Sequence, residues 1–175
     1  MNPSTGPVNG EQDWAVANLD DFARLGRAEQ GLAVISTVRP DGSVQSSLVN
    51  AGVMPHPITG EPSVAFVTYG KVKLANLRRH RQLAATFRSG WRWATVEGRA
   101  EIIGPDDPHP AVDGERLRLL LREVFSCAGG THDDWTEYDR VMAEQRRAAV
   151  LVEPDRIYSN PGPITARVRP TDADR

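Results

Sequence analysis

LAVISTVRPDGSVQSSLVNAGV, residues 32–53, holds two extended runs around a tight turn. The first, 32–38, is apolar and β-branched, and the second, 43–53, alternates apolar with polar side chains. Between them Pro40-Asp41-Gly42 supplies the preset φ and the permissive glycine that a hairpin turn needs. Upstream, Asn18 with Asp21 three positions on has the form of a helix N-cap. Leu19, Phe22 and Leu25 then recur at helical spacing, and Gly31 ends the helix. Downstream, a Pro/Gly-rich connection over 55–62 leads into a strand at 63–68. A short helix follows at 71–80, then strands at 83–87 and 91–103 on either side of Ser89-Gly90. Beyond 105–110 the period changes. Leu117, Leu120, Leu121, Val124 and Phe125 mark one face of a helix that Asp113 caps. Gly129-Gly130 breaks it, and Thr131 is placed as the cap of a second helix carrying Trp135, Tyr138, Val141 and Met142 on one side. The segments 148–152 and 156–158 form one bent strand interrupted by Pro154. Hairpins predominate, so the expected fold is mainly β with helices: six strands, mostly antiparallel, curling into a barrel. One domain is expected over 18–159, with a disordered arm at 1–17 and a flexible tail at 160–175.

The 175 residues suffice for one real core and not for two. A formal net charge of −2 gives no long-range pull toward nucleic acid or an acidic membrane, so an anion site must be local. No apolar run approaches the ~20 residues of a membrane helix. The polar N-terminal run lacks the pattern of a secretory signal, which places the chain in the cytoplasm. The single cysteine, Cys127, excludes an intrachain disulfide and is expected to be an inert thiol. His56, His80, His109 and His132 show no ligand spacing, so no metal is expected. Neither G-x-G-x-x-G nor G-x-x-x-x-G-K-[ST] occurs, which disfavours Rossmann and P-loop nucleotide sites, and no G-x-S-x-G marks a hydrolase.

The sharpest chemical signal is Thr68-Tyr69-Gly70-Lys71-Val72-Lys73-Leu74-Ala75-Asn76-Leu77. A strand ends in a hydroxyl, a glycine allows close backbone approach, and a helix opens with two cations. All but two of the 21 Lys+Arg residues are arginine, and these are the two lysines. Cations oppose the helix dipole at an N-terminus. Either a bound phosphate reverses that cost, held by free N–H groups and both ammoniums, or the loop is a solvated basic segment that tolerates it. Arg78, Arg79, His80 and Arg81 follow; singly they suit a helix C-terminus, and together they could attract an acidic tail. The polar stripe Ser46, Ser47, Asn50 reads as a solvent face or a pocket wall. Of Trp91 and Trp93, expected on opposite strand faces, at most one should reach the core; the other would cover an interface or a flat ring.

The run Val34-Ile35-Ser36-Thr37, the Asp41-Gly42 hairpin, Ser47 and Asn50, Thr68-x-Gly70-x-x-Lys73-x-x-Asn76-Leu77 and Trp93-x-x-Val96-Glu97-Gly98-x-Ala100 occur in that order. Together they resemble the pyridoxamine-phosphate-oxidase-like, FMN-binding split β-barrel superfamily, in particular its F420-dependent branch from actinobacteria. The resemblance covers roughly residues 21–158. It implies a homodimeric oxidoreductase with coenzyme sites between subunits. Lys73, with Thr68, Gly70, Lys71 and Asn76, would cradle the coenzyme phosphate. Ser47, Val49 and Asn50 would line the ring, Trp93 would approach it, and Arg78, with Arg79 and Arg81, would receive the polyglutamate tail of F420. The implied activity is hydride transfer from reduced F420 to an unsaturated small molecule. The alternatives are an FMN-dependent enzyme on the same barrel, or a carrier that binds a coenzyme or tetrapyrrole without turnover. The chain lacks the R-x-[VL]-L-L-K run and the Arg-Leu-x-Pro terminus of vitamin B6 oxidases, which argues against that activity. No catalytic residue is assigned.

Overall fold

The computed structural model of the protein describes residues 18–160; the arm expected at 1–17 and all but the first residue of the tail expected at 160–175 lie outside them. Strand β1, Leu32–Val38, pairs antiparallel with β2, Val44–Pro55, from Leu32↔Asn50 to Val38↔Val44. Gly42, at φ +82°, turns the chain between them, and the Asp41 carboxylate accepts from both the backbone N–H and the hydroxyl of Ser43. The quoted stretch is therefore one continuous hairpin. It is extended by β3, Pro62–Thr68, β4, Gln82–Ser89, β5, Arg92–Ile103, and β6, Ala148–Ser159. Every pairing is antiparallel, and the order β1-β2-β3-β6-β5-β4 closes on itself through β1 and β4. Pro154 does not interrupt β6. It lies opposite Gly98, where the ladder with β5 slips by a bulge, so the residue that cannot donate a hydrogen bond falls at the irregularity.

Alternation along two strands builds two cores. Val64 and Phe66 of β3, with Ala148, Val150 and Val152 of β6, belong to the cluster inside the barrel. Helix α1, Leu19–Ala28, adds Phe22 and Leu25 to it, Phe22 stacking 4.4 Å from Phe87. The intervening residues Ala65, Ala149 and Leu151 face outward, into a second cluster under helices α3, Gly114–Cys127, and α4, Trp135–Glu144. Both faces of β3 and of the first half of β6, residues 148–152, are thus buried, which is why these segments read as unbroken apolar runs. The α3 end reaches the barrel by close backbone approach: a Cβ on Gly52 would stand 2.2 Å from the Cys127 carbonyl oxygen.

Asn18 caps α1 and Asp113 caps α3, accepting from the Asp21 and Arg116 amides at 2.9 and 2.8 Å. The cap of α4 is Asp134 and not Thr131; its carboxylate accepts from the Thr136 and Glu137 amides. A carboxylate at that position gains from the helix dipole as well as the hydrogen bonds, and the chain stays irregular three residues longer to use it.

The feature that positions the site is where one ladder stops. Strands β2 and β3 pair only from Ala51↔Phe66 to Pro55↔Pro62. Residues 44–50 of β2 therefore pair with β1 alone, and a gap opens between this half-strand and the end of β3. Helix α2, Lys71–Arg79, begins in that gap.

Candidate functional site

The gap is a cleft of about 600 Å³, lined by Ser47, Val49 and Asn50 from β2, Val67 and Thr68 from β3, Gly70, Lys71 and Lys73 at the start of α2, and Arg147 ahead of β6. Lys71, Lys73 and Arg147 bring three cations to this wall, and no carboxylate lines it. The start of α2 is exposed electrostatically. Gly70 at the N-cap offers no side chain, and no acidic residue occupies the first turn. Its first N–H groups thus have neither a capping oxygen nor a counter-charge.

Lys73 is 5% exposed, yet its ammonium makes no ion pair or hydrogen bond among the described residues and faces the Phe66 ring 5.3 Å from the centroid. Burial pushes its pKa down to about 8, the direction expected for a cation taken from water without a partner. Across the cleft, Ser47 Oγ is buried with no hydrogen-bond partner. A partnerless hydroxyl and an unpaired ammonium lining the same cleft are what a guest with acceptor oxygens would satisfy. The Thr68 hydroxyl accepts from the Gly70 N–H at 3.2 Å, fixing the strand-to-helix turn. Asn50 donates from its amide to the Gln30 carbonyl oxygen at 2.9 Å, holding the β2 rim to the loop after α1.

Ser47, Val49, Asn50, Thr68, Gly70, Lys71 and Lys73 are thus brought together, as the sequence reading grouped them. The other three residues of that group lie elsewhere. Asn76 is buried and donates to the Thr37 hydroxyl at 3.0 Å, docking α2 on β1. Arg78 forms a bidentate pair with Asp107 at 2.8 and 2.7 Å, tying α2 to the loop after β5. Trp93 is half-buried on β5, edge-on to Tyr158 at 5.9 Å. Nor do the tryptophans divide across a strand. Residues two apart share one face, and Trp91 precedes β5 in the turn, 94% exposed.

Arg147 and Tyr69 are among the cleft residues that sequence reasoning missed. The guanidinium lies 4.4 Å over the Tyr69 ring, because the β3–β6 ladder sets Ala148 opposite Thr68. A second cavity, about 290 Å³, abuts the cleft: the two share Asn50, Val67 and Arg147 as walls. It lies under the α3–α4 hairpin.

The scattered histidines also come together in part. His56 Nε2 is 3.0 Å from one oxygen of Glu101, and His109 Nε2 is 3.5 Å from the other. Both Nδ1 atoms accept backbone N–H bonds, from Ile58 and Thr59 and from Ala111. The imidazoles are spent on both sides, and the cluster staples two loops to β5. Among the described residues no group of three or more His, Cys, Asp or Glu could hold a metal ion, and no helix is long and apolar enough to cross a membrane. The Cys127 thiol donates to the Val124 carbonyl oxygen, and burial pushes its pKa up to about 12.

A family model described as pyridoxamine 5'-phosphate oxidase matches residues 19–159. Among solved structures, a conserved hypothetical protein from Mycobacterium tuberculosis is similar with a TM-score of 0.56 at 20% identity, covering 85% of this chain and 86% of that one. A protein of unknown function from Agrobacterium tumefaciens gives 0.54 at 16% identity, over 86% of this chain and 61% of that one. A heme binding protein from Mycobacterium smegmatis gives 0.53 at 13% identity, over 82% and 54%. This chain therefore spans roughly half to three fifths of the last two. At these identities the likeness is one of fold.

Proposed function

The chain belongs to the pyridoxamine 5'-phosphate oxidase family, and on that premise we propose that it is an F420-dependent reductase whose coenzyme sits in the cleft with its phosphate at the start of α2. The observation that carries this reading is Lys73, a buried ammonium without an anionic partner on an uncapped helix N-terminus. A phosphate there would meet free N–H groups and charge-assisted bonds from Lys73 and Lys71. Ser47 Oγ and the half-strand 44–50, which pairs with β1 alone, would offer polar atoms to the edge of a ring. When bound, the deazaflavin would supply the hydride that reduces an unsaturated small molecule; Lys73, Lys71 and the start of α2 would hold the phosphate, and Ser47, Val49 and Asn50 would orient the ring.

The cleft supports a phosphorylated ring coenzyme. The choice of F420 rests on the motifs of residues 68–77 and 93–100, and FMN is the alternative that the same groups would seat. Titrating the protein with each coenzyme by calorimetry decides between them. Saturation by F420 is expected, and saturation by FMN alone discards it. Turnover of an enone or quinone by reduced F420 separates an enzyme from a carrier. We also read the protein as a homodimer. Leu32, Val34, Val44 and Leu48 form an uncharged, exposed face on the β1–β2 hairpin, the kind of patch a second copy covers. Sedimentation velocity at micromolar concentration should give twice the chain mass.

A further inference from the structure

We propose that the cavity beneath the α3–α4 hairpin is the acceptor pocket, and that it takes a compact, flat, unsaturated molecule carrying a carboxylate. This rests on the coenzyme reading of the neighbouring cleft, because the two cavities share Asn50, Val67 and Arg147, and a guest here would lie beside the ring.

The walls give the shape and the chemistry. Val124, Phe125, Val141 and Met142 present apolar surface from the two helices, opposite Val67 of the barrel. Phe125 is held in place from behind, since Gly130 packs so closely on its ring that a Cβ there would stand 2.5 Å from it. A volume of about 290 Å³ is at the lower end for ligand pockets and suits one or two rings. The polar groups favour donors. Arg147 makes no ion pair among the described residues; its guanidinium is held by the Gln145 side chain at 2.8 Å and by the Tyr69 face. His132 Nδ1 accepts from the Asp134 amide at 3.1 Å, which leaves Nε2 to donate. The Tyr138 hydroxyl donates to the Leu121 carbonyl oxygen at 3.0 Å. No carboxylate lines the pocket. A half-buried guanidinium beside apolar walls, with the exposed His132 imidazole at the rim, selects a guest whose polar atoms are acceptors, best an anionic one.

The chemistry that fits is reduction of a carbon–carbon double bond conjugated to that carboxyl group. One carbon takes a hydride from the reduced coenzyme, which is oxidised by two electrons, and the other takes a proton from water. The π bond is replaced by two C–H bonds.

Met142 lines the pocket and Met54 does not, which provides a direct readout. The full chain, carrying ¹³C-methyl methionine and no coenzyme, is titrated with trans-cinnamate and with cinnamyl alcohol. Cinnamate should shift the Met142 methyl saturably and leave Met54 in place. Cinnamyl alcohol should bind about ten-fold more weakly or worse, as expected for loss of a charge-assisted bond. Val141→Trp fills the pocket from a residue outside the coenzyme cleft; it should abolish the Met142 response and leave F420 and FMN titrations as in the wild type. A silent Met142 in the wild type overturns the proposal even if the variant fails to fold. So does a Val141→Trp protein that still binds cinnamate normally, and equal affinity for the alcohol overturns the acid class. A Met142 response sensitive to Val141→Trp, in a protein that binds neither coenzyme, discards the coenzyme reading and supports the pocket.

Discussion

Helices α2 and α3 begin in opposite ways. Helix α3 opens with Asp113 as a cap and Glu115 in its first turn; α2 opens with Gly70, no capping side chain, and Lys71 and Lys73. Helices α1 and α4 follow the α3 pattern, with Asn18 and Asp134 as caps and acids in the first turn. A chain that caps three helices by the rules of stability and breaks those rules at the fourth has placed a cost where a ligand can offset it.

The contrast is broken or sharpened by substitution at each end. Lys73→Met should lower coenzyme affinity by ten-fold or more, since a charge-assisted hydrogen bond contributes ~1.5–3 kcal/mol. The coenzyme-free protein should melt no lower than the wild type, because a buried unpaired charge is gone. Unchanged affinity would remove Lys73 from the site. Next in size is a pH effect. With its pKa pushed down to about 8, Lys73 of the free protein loses its proton as pH rises through that value, and a phosphate must then bring the proton back. Affinity should fall by up to about ten-fold per pH unit above that point, and the fall attributable to this lysine should vanish in Lys73→Met. The same shift acts on folding. The unfolded chain keeps the proton up to about 10.5, so the destabilisation is full below pH 8 and is relieved between the two values. Asp113→Ala, at the ordinary helix, should cost about 1 kcal/mol in chemical denaturation and leave coenzyme affinity untouched. The smallest effect is expected from the exposed Lys71: Lys71→Gln should weaken binding about two- to five-fold at low salt, less as salt rises.

What was legible in the sequence follows the same line. The hairpin at residues 32–53, the four helices and the six strands are local patterns, and they lie where spacing and turn chemistry put them, apart from the ends. The lysines of α2 stood out because they contradict a local rule. Arg147 contradicts none: it lies in the connection between α4 and β6, and only the pairing of Ala148 with Thr68 brings it to Tyr69. The strand order that makes this pair is a tertiary fact. The Ser47 hydroxyl lines a cleft because the β2–β3 ladder stops at Ala51, and alternation along β2 does not announce that stop. Arg78 read as one of an arginine run that could receive an acidic tail, because Asp107, its partner, lies 29 residues further along the chain. His56 and His109 looked scattered for the same reason and meet on Glu101.

The Cys127 thiol, half-buried against the carbonyl of Val124 and with its pKa pushed up by burial, has a practical corollary. The folded chain should react slowly with maleimides and iodoacetamides, as a thiol-quantitation time course would show. A single cysteine introduced at the exposed Tyr69 would therefore take up a dye first, making the wild-type background ready for site-specific labelling without any prior removal of sulfur.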